Sequence, residues 1–137
     1  MLRWLILAAG IGQLVLAVVS LSVPRVLGWR EDTAKLLPLT RQVFWAYAAY
    51  IWGAHIAFGL LSALAPGLLV DGSSLAGLAC AFIALWWGAR LALQFLAFDR
   101  GARPPGAVFV AAEVALVSGF AAFAGIYAIA AWRNLAG

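Results

Sequence analysis

Four long apolar runs are the feature that most constrains how this chain can fold. They cover residues 4–23, 43–65, 75–97 and 107–131. Each run reaches the roughly 20 residues that a helix needs to cross a bilayer. None alternates in hydrophobicity as the strands of a membrane barrel do, and a backbone in lipid must satisfy its own hydrogen bonds. We therefore predict an all-α integral membrane protein, an up-down antiparallel bundle of four transmembrane helices that forms a single domain over residues 1–137.

The composition favours the same class of protein. The chain has 137 residues, of which 66% are hydrophobic and 10% are charged, whereas soluble domains carry about 25% charged residues. A soluble fold of this size has too little interior for so much apolar surface. No basic patch with interleaved aromatic residues is present, so nucleic acid is not expected as a partner. The expected partners are the lipid bilayer and either further copies of this chain or the subunits of a larger membrane complex.

The basic residues between the apolar runs predict an orientation. The first and third loops contain Arg25, Arg30, Lys35, Arg41, Arg100 and Arg103, whereas only Arg3 and Arg133 lie on the opposite side. Positive loops stay in the cytoplasm. We therefore expect an inner-membrane protein with loops 24–42 and 98–106 in the cytoplasm and with loop 66–74 and both termini outside. In the first loop, residues 31–33 would cap a short helix through residues 35–37, in a segment that is expected to be a linker on the headgroups.

Arg90 and Glu113 are ionisable residues inside apolar runs, where such side chains are costly and usually have a partner. At a rise of about 1.5 Å per residue, Arg90 lies about 13 Å from the cytoplasmic end of its helix and Glu113 about 12 Å from the same end. Pairing cancels a buried charge, so we predict a direct Arg90–Glu113 ion pair. Gln94 lies one helical turn from Arg90 on the same helix face.

A second polar level is expected near the middle of the bilayer. His55 and Gln13 fall there by the same count of helical rise. Aromatic residues on the same helix faces would form the walls of a pocket around them. A mostly apolar cavity with a few fixed polar groups suits a small amphipathic ligand. The candidate ligand-binding residues are Arg90, Glu113, His55, Gln94, Gln13, Trp52, Trp87 and Tyr127. Alternatively, the same polar contacts would do no more than fix the register of four packed helices. The sequence leaves both interpretations open.

Three functions are compatible with these residues. The first is a non-catalytic membrane subunit or binding protein that holds a lipid-like or quinone-like ligand, or partner helices, around an axis of Arg90, Glu113 and His55. The second is a small proton-coupled transporter that uses Glu113 and His55. The third is a membrane enzyme acting on a lipophilic substrate, although no nucleophile, metal motif or cysteine pair is present, so no catalytic or metal-binding residue is predicted. No cofactor is identified beyond a bound lipid or a quinone-like molecule.

Overall fold

The computed structural model describes residues 1–137, apart from the side chain of Arg100. Within that description the chain is all-helical and contains no strand. Four helices are long and apolar enough to cross a membrane: α1 (Leu2–Ser20), α4 (Pro38–Leu64), α5 (Ser74–Leu96) and α6 (Ala107–Ala136). Two short helices, α2 (Val23–Val26) and α3 (Trp29–Ala34), connect α1 to α4, and single 3₁₀ turns occupy Pro66–Leu69 and Arg100–Ala102.

The prediction of four long apolar helices is confirmed, with some shifts at their ends. α4 begins at Pro38, before the expected residue 43, because proline suits the first helical turn, where its missing N–H is not needed. α5 begins after Ser73, whose Oγ accepts a hydrogen bond from the Ala76 amide at 3.0 Å. α6 continues to Ala136, beyond the expected residue 131, and Asn134 in its last turns is buried.

The short helix of the first loop lies earlier than the sequence predicts. It is α3, which ends at Ala34, so residues 35–37 follow the helix instead of forming it. The reason is that the acidic residues occupy the first turn of the helix, where they favour the positive end of its dipole. Trp29 packs edge-on against Phe44 with 5.1 Å between ring centroids, and Trp45 Nε1 donates to Thr33 Oγ1 at 3.2 Å. These contacts attach the loop helix to the start of α4.

The long helices pack as two close pairs, α1 with α4 and α5 with α6. In the first pair, a Cβ added to Gly10 would lie 2.6 Å from the backbone nitrogen of Ala63, and Trp52 Nε1 donates to the carbonyl of Ala17 at 2.9 Å. These contacts run in opposite order along the two helices. Contacts between α1 and α6 join the pairs into one helical bundle.

α4 and α5 are not a closely packed pair, and aromatic side chains fill the space between them. Phe58 lies 6.0 Å from Phe82 and 5.5 Å from Trp86, measured between ring centroids. His55 lies 6.0 Å from Trp86 by the same measure. We call these four residues the α4–α5 seam. It is a side of the bundle at which rings, rather than tightly packed backbones, separate the interior from the outside.

Candidate functional site

A buried hydrogen-bond network joins all four long helices at the centre of the bundle. Gln13 of α1 donates from Nε2 to Tyr127 Oη of α6 at 2.6 Å and to the carbonyl of Ala9 at 3.1 Å. Its Oε1 accepts from Trp87 Nε1 of α5 at 3.0 Å. The hydroxyls of Tyr127 and Ser62, which lies on α4, share a hydrogen bond of 2.5 Å. The amide of Gln13 thus has its donors and its acceptor filled by the protein itself.

The predicted candidates of the middle level therefore occupy different places. Gln13, Trp87 and Tyr127 are each 0% exposed and satisfy one another, so they form a packed core and not the wall of an open pocket. Trp52 lies at the edge of the α1–α4 contact, 37% exposed, with its indole N–H directed to Ala17. Trp52 therefore belongs neither to the central hydrogen-bond network nor to the polar cluster around Arg90. The hydrogen bonds of Gln13, Trp87 and Tyr127 hold the four long helices in register.

A second polar cluster lies toward the end of α5 and contains the other charged candidates. Arg90 Nη1 donates to Gln94 Oε1 at 3.3 Å, and Gln94 Nε2 donates to Glu113 Oε1 at 3.5 Å. Glu113 also pairs with Arg103. Among the side chains that the structure describes, the predicted direct Arg90–Glu113 ion pair is not formed, because Gln94 lies between the two groups. Helical rise places the two residues at similar distances from the neighbouring ends of α5 and α6, but it does not give the direction of a long side chain.

The guanidinium of Arg90 packs against two aromatic rings. Its central carbon lies 4.9 Å from the ring centroid of Phe98 and 4.8 Å from that of Phe120. A guanidinium has five N–H donors, and among the described residues its only hydrogen-bond acceptor is the amide oxygen of Gln94. None of the described carboxylates forms an ion pair with it. The charge of Arg90 is thus held by rings and a neutral amide and is not neutralised.

His55 is the second polar group that the surrounding protein leaves unsatisfied. Its buried Nε2 has no hydrogen-bond partner among the residues whose side chains are described, and its ring stacks on Trp87 with 4.6 Å between centroids. Trp87 in turn stacks on Phe120 at 5.4 Å, the ring beneath Arg90. A continuous stack of rings thus runs from His55 through Trp87 and Phe120 to Arg90. His55 and Arg90 therefore belong to one cluster, which we call the Arg90–His55 site.

Two residues with structural contacts in or near these clusters, Phe98 and Asn134, were not recognised from the sequence. Phe98 follows the end of α5, so no helical periodicity could place its ring against Arg90. Asn134 gave a usable signal, since it is an amide within the last turns of an apolar helix. Its Nδ2 donates to the carbonyl of Leu69 at 2.8 Å and its Oδ1 accepts from the Gly72 amide at 2.9 Å. Asn134 fastens the loop between α4 and α5 at the end of the bundle opposite the Arg90–His55 site.

The described residues contain no group of three histidine, cysteine, aspartate or glutamate side chains that could hold a metal ion. No protein-family model matches the chain, and no curated protein or solved structure is significantly similar to it. The chemistry of the Arg90–His55 site therefore has to be argued from its own residues, which offer hydrogen-bond donors, a positive charge and aromatic surface.

Proposed function

We propose that this chain is a non-catalytic integral membrane protein that binds a lipid-like or quinone-like amphiphile at the Arg90–His55 site. Its four long helices would cross the inner membrane as an up-down bundle, with loops 24–42 and 98–106 in the cytoplasm. The length and apolarity of the helices support insertion, and the opposite order of contacts along α1 and α4 supports the up-down arrangement. The distribution of basic residues supports the orientation.

The observation that carries the proposal is the unneutralised guanidinium of Arg90. A charged side chain in a membrane helix costs up to about 2.5–3.5 kcal/mol on insertion scales, the value that applies at the helix centre. Each cation–π contact returns about 0.5–2 kcal/mol, and one neutral hydrogen bond returns less than a carboxylate would. The donors that Arg90 does not use within the described protein are available to the polar end of a ligand. An oxygen acceptor there would satisfy them.

The α4–α5 seam supplies a route and a surface for the apolar part of such a ligand. Phe82 is 57% exposed, and Trp86 and His55 are half-buried, so the seam presents rings toward the space that lipid would fill. Phe82, Trp86 and Arg90 follow one another at intervals of four residues, which places them along one face of α5. An amphiphile lying along that face would have its polar end at Arg90 and its apolar part on the two rings.

The transporter function receives less support from the geometry. It needs Glu113 and His55 to pass protons, yet Glu113 is held by Gln94 and Arg103, and the rings of Trp87 and Phe120 lie between His55 and Arg90. A Glu113→Gln variant separates the two functions. Proton-linked flux of the unaltered chain in proteoliposomes that Glu113→Gln abolishes would favour transport, whereas no such flux, together with a retained amphiphile, would favour binding.

The binding function is tested by recovering what the purified full chain retains. The protein is extracted from its native membrane in a neutral detergent, and bound molecules are counted by native mass spectrometry and then identified after solvent extraction. We expect the unaltered chain to retain an amphiphile and Arg90→Gln to lose it. Arg25→Gln is the matched control, because it removes an exposed arginine on the same predicted side. A folded, unaltered chain that retains no amphiphile would contradict the proposal.

A further inference from the structure

We propose that the ligand of the Arg90–His55 site is an anionic membrane lipid whose phosphate group binds Arg90, and not a neutral quinone. This inference rests on the proposed function and specifies the class of amphiphile. It depends on three properties of the site: its excess of positive charge, the shape of the guanidinium donor set, and the depth at which Arg90 presents it.

The residues at this end of α5 and α6 carry more positive than negative charge. The sequence places Arg90, Arg100 and Arg103 there against Asp99 and Glu113. Glu113 is paired with Arg103, and Asp99 Oδ1 accepts from the Gly101 amide at 2.9 Å, which commits it to the turn between the helices. One positive charge is therefore in excess, and among the described carboxylates none pairs with Arg90. A bound anion would neutralise this excess positive charge, whereas a neutral ligand would leave the charge in place.

The donor geometry of Arg90 discriminates between the two kinds of ligand. A guanidinium is a planar fork that binds two oxygens of a phosphate at once, and such charge-assisted bonds are about twice as strong as neutral ones. A quinone carbonyl offers a single neutral acceptor and leaves the guanidinium charge in an apolar setting. Phe98 and Phe120 lie against the guanidinium and restrict its orientation, so less side-chain freedom is lost when an anion binds.

The depth of Arg90 agrees with a headgroup and not with a deeply buried ring. Its Cα lies about 9 Å before the last residue of α5 at a rise of about 1.5 Å per residue. Its contact with Phe98, beyond the end of α5, and its hydrogen bond to Gln94, one turn closer to that end, favour a side chain that extends toward that end. Arginines near helix ends commonly reach the interface in this way. In the proposed orientation the guanidinium would reach the layer where lipid phosphates lie, while Trp86 and Phe82 would lie at acyl-chain depth.

The test compares ligands that differ in headgroup. Purified full chain in a neutral detergent is titrated with phosphatidylglycerol, with phosphatidylcholine, with a decyl-substituted benzoquinone and with inorganic phosphate, and binding is measured by native mass spectrometry. Both phospholipids offer a phosphate to the guanidinium, but the choline cation of phosphatidylcholine cancels the charge of its phosphate. We therefore expect phosphatidylglycerol to bind about 10-fold more tightly than phosphatidylcholine, which corresponds to about 1.4 kcal/mol. Arg90→Gln should remove this preference, Arg90→Lys should keep part of it, and Arg25→Gln should leave it unchanged.

The outcomes distinguish this inference from the proposed function. Tight binding of the benzoquinone without a preference for phosphatidylglycerol would overturn the inference and leave the proposed function standing. Binding of inorganic phosphate as tightly as the lipid would also overturn it, because the site would then take a soluble anion. Binding of none of the four probes would contradict both proposals. If Arg90→Gln does not fold, as judged by circular dichroism, the headgroup preference of the unaltered chain and the Arg90→Lys variant still decide the question.

Discussion

Tyr127 offers the sharpest test of the central hydrogen-bond network, because replacing it with phenylalanine removes one hydroxyl and little volume. In Tyr127→Phe, the Gln13 amide loses an acceptor at 2.6 Å and the Ser62 hydroxyl loses a partner at 2.5 Å. Both residues are 0% exposed, so no water replaces the hydroxyl. A buried polar group left without its partner costs about 1–3 kcal/mol, while interhelical hydrogen bonds in membranes average about 0.6 kcal/mol. We expect a loss of about 1–3 kcal/mol in the free energy of unfolding.

The assay is unfolding of the purified chain in mixed micelles by increasing the fraction of a denaturing detergent, followed by circular dichroism. The Ser62→Ala and Tyr127→Phe changes are measured singly and together, and the coupling energy is expected near 0.6 kcal/mol and up to about 1.7 kcal/mol. Tyr50→Phe is the matched control, because Tyr50 lies on the same helix as Ser62 and is 79% exposed. Its effect should stay within about 0.5 kcal/mol. A Tyr127→Phe effect no larger than that control, or additive single effects, would refute the reasoning.

Two further substitutions test how the helices and the loop are held together. Gly10→Ala would place a Cβ 2.6 Å from the Ala63 nitrogen and should lower the free energy of unfolding by about 1–3 kcal/mol. Gly53→Ala is the control, because a Cβ there would meet nothing within 4 Å; it should be neutral or stabilising by up to about 1 kcal/mol. Equal effects of the two substitutions would contradict the close α1–α4 contact. Asn134→Leu removes the bonds to Leu69 and Gly72 and should cost about 1–3 kcal/mol. Hydrogen exchange of the Gly72 amide should then accelerate, and unchanged protection would argue against the role assigned to Asn134.

The long helices followed from the sequence because apolar runs of this length have few alternatives. Their ends were predicted less well. α4 begins at Pro38 because proline is compatible with the first turn of a helix, whereas the apolar run begins only at residue 43. The position of α3 was missed by several residues for a related reason. Acidic residues suit a first turn as well as a cap, and spacing alone does not separate the two.

The sequence predicted which residues of α5 and α6 lie at one level, but not the directions of their side chains. The helical rise placed Arg90 and Glu113 at one level, and the structure links them through Gln94. Trp52 was expected to line an internal pocket, but it lies at the edge of the α1–α4 contact and donates to Ala17. α4 is apolar on several faces, so its sequence does not identify which stripe is turned inward. The direction of a long side chain depends on its tertiary neighbours, such as Phe98 for Arg90. The periodicity of a helix does not predict these neighbours.

The central claim is that the Arg90 guanidinium contacts the phosphate of a membrane lipid. Solid-state NMR can measure this contact directly, through dipolar coupling between ¹⁵N in labelled arginine side chains and ³¹P in phosphatidylglycerol bilayers. The spectrum of Arg90→Lys, subtracted from that of the unaltered chain, isolates the contribution of Arg90 from those of the exposed arginines. The account predicts a difference signal with a nitrogen–phosphorus separation within hydrogen-bonding reach. Identical coupling in the two proteins would contradict it.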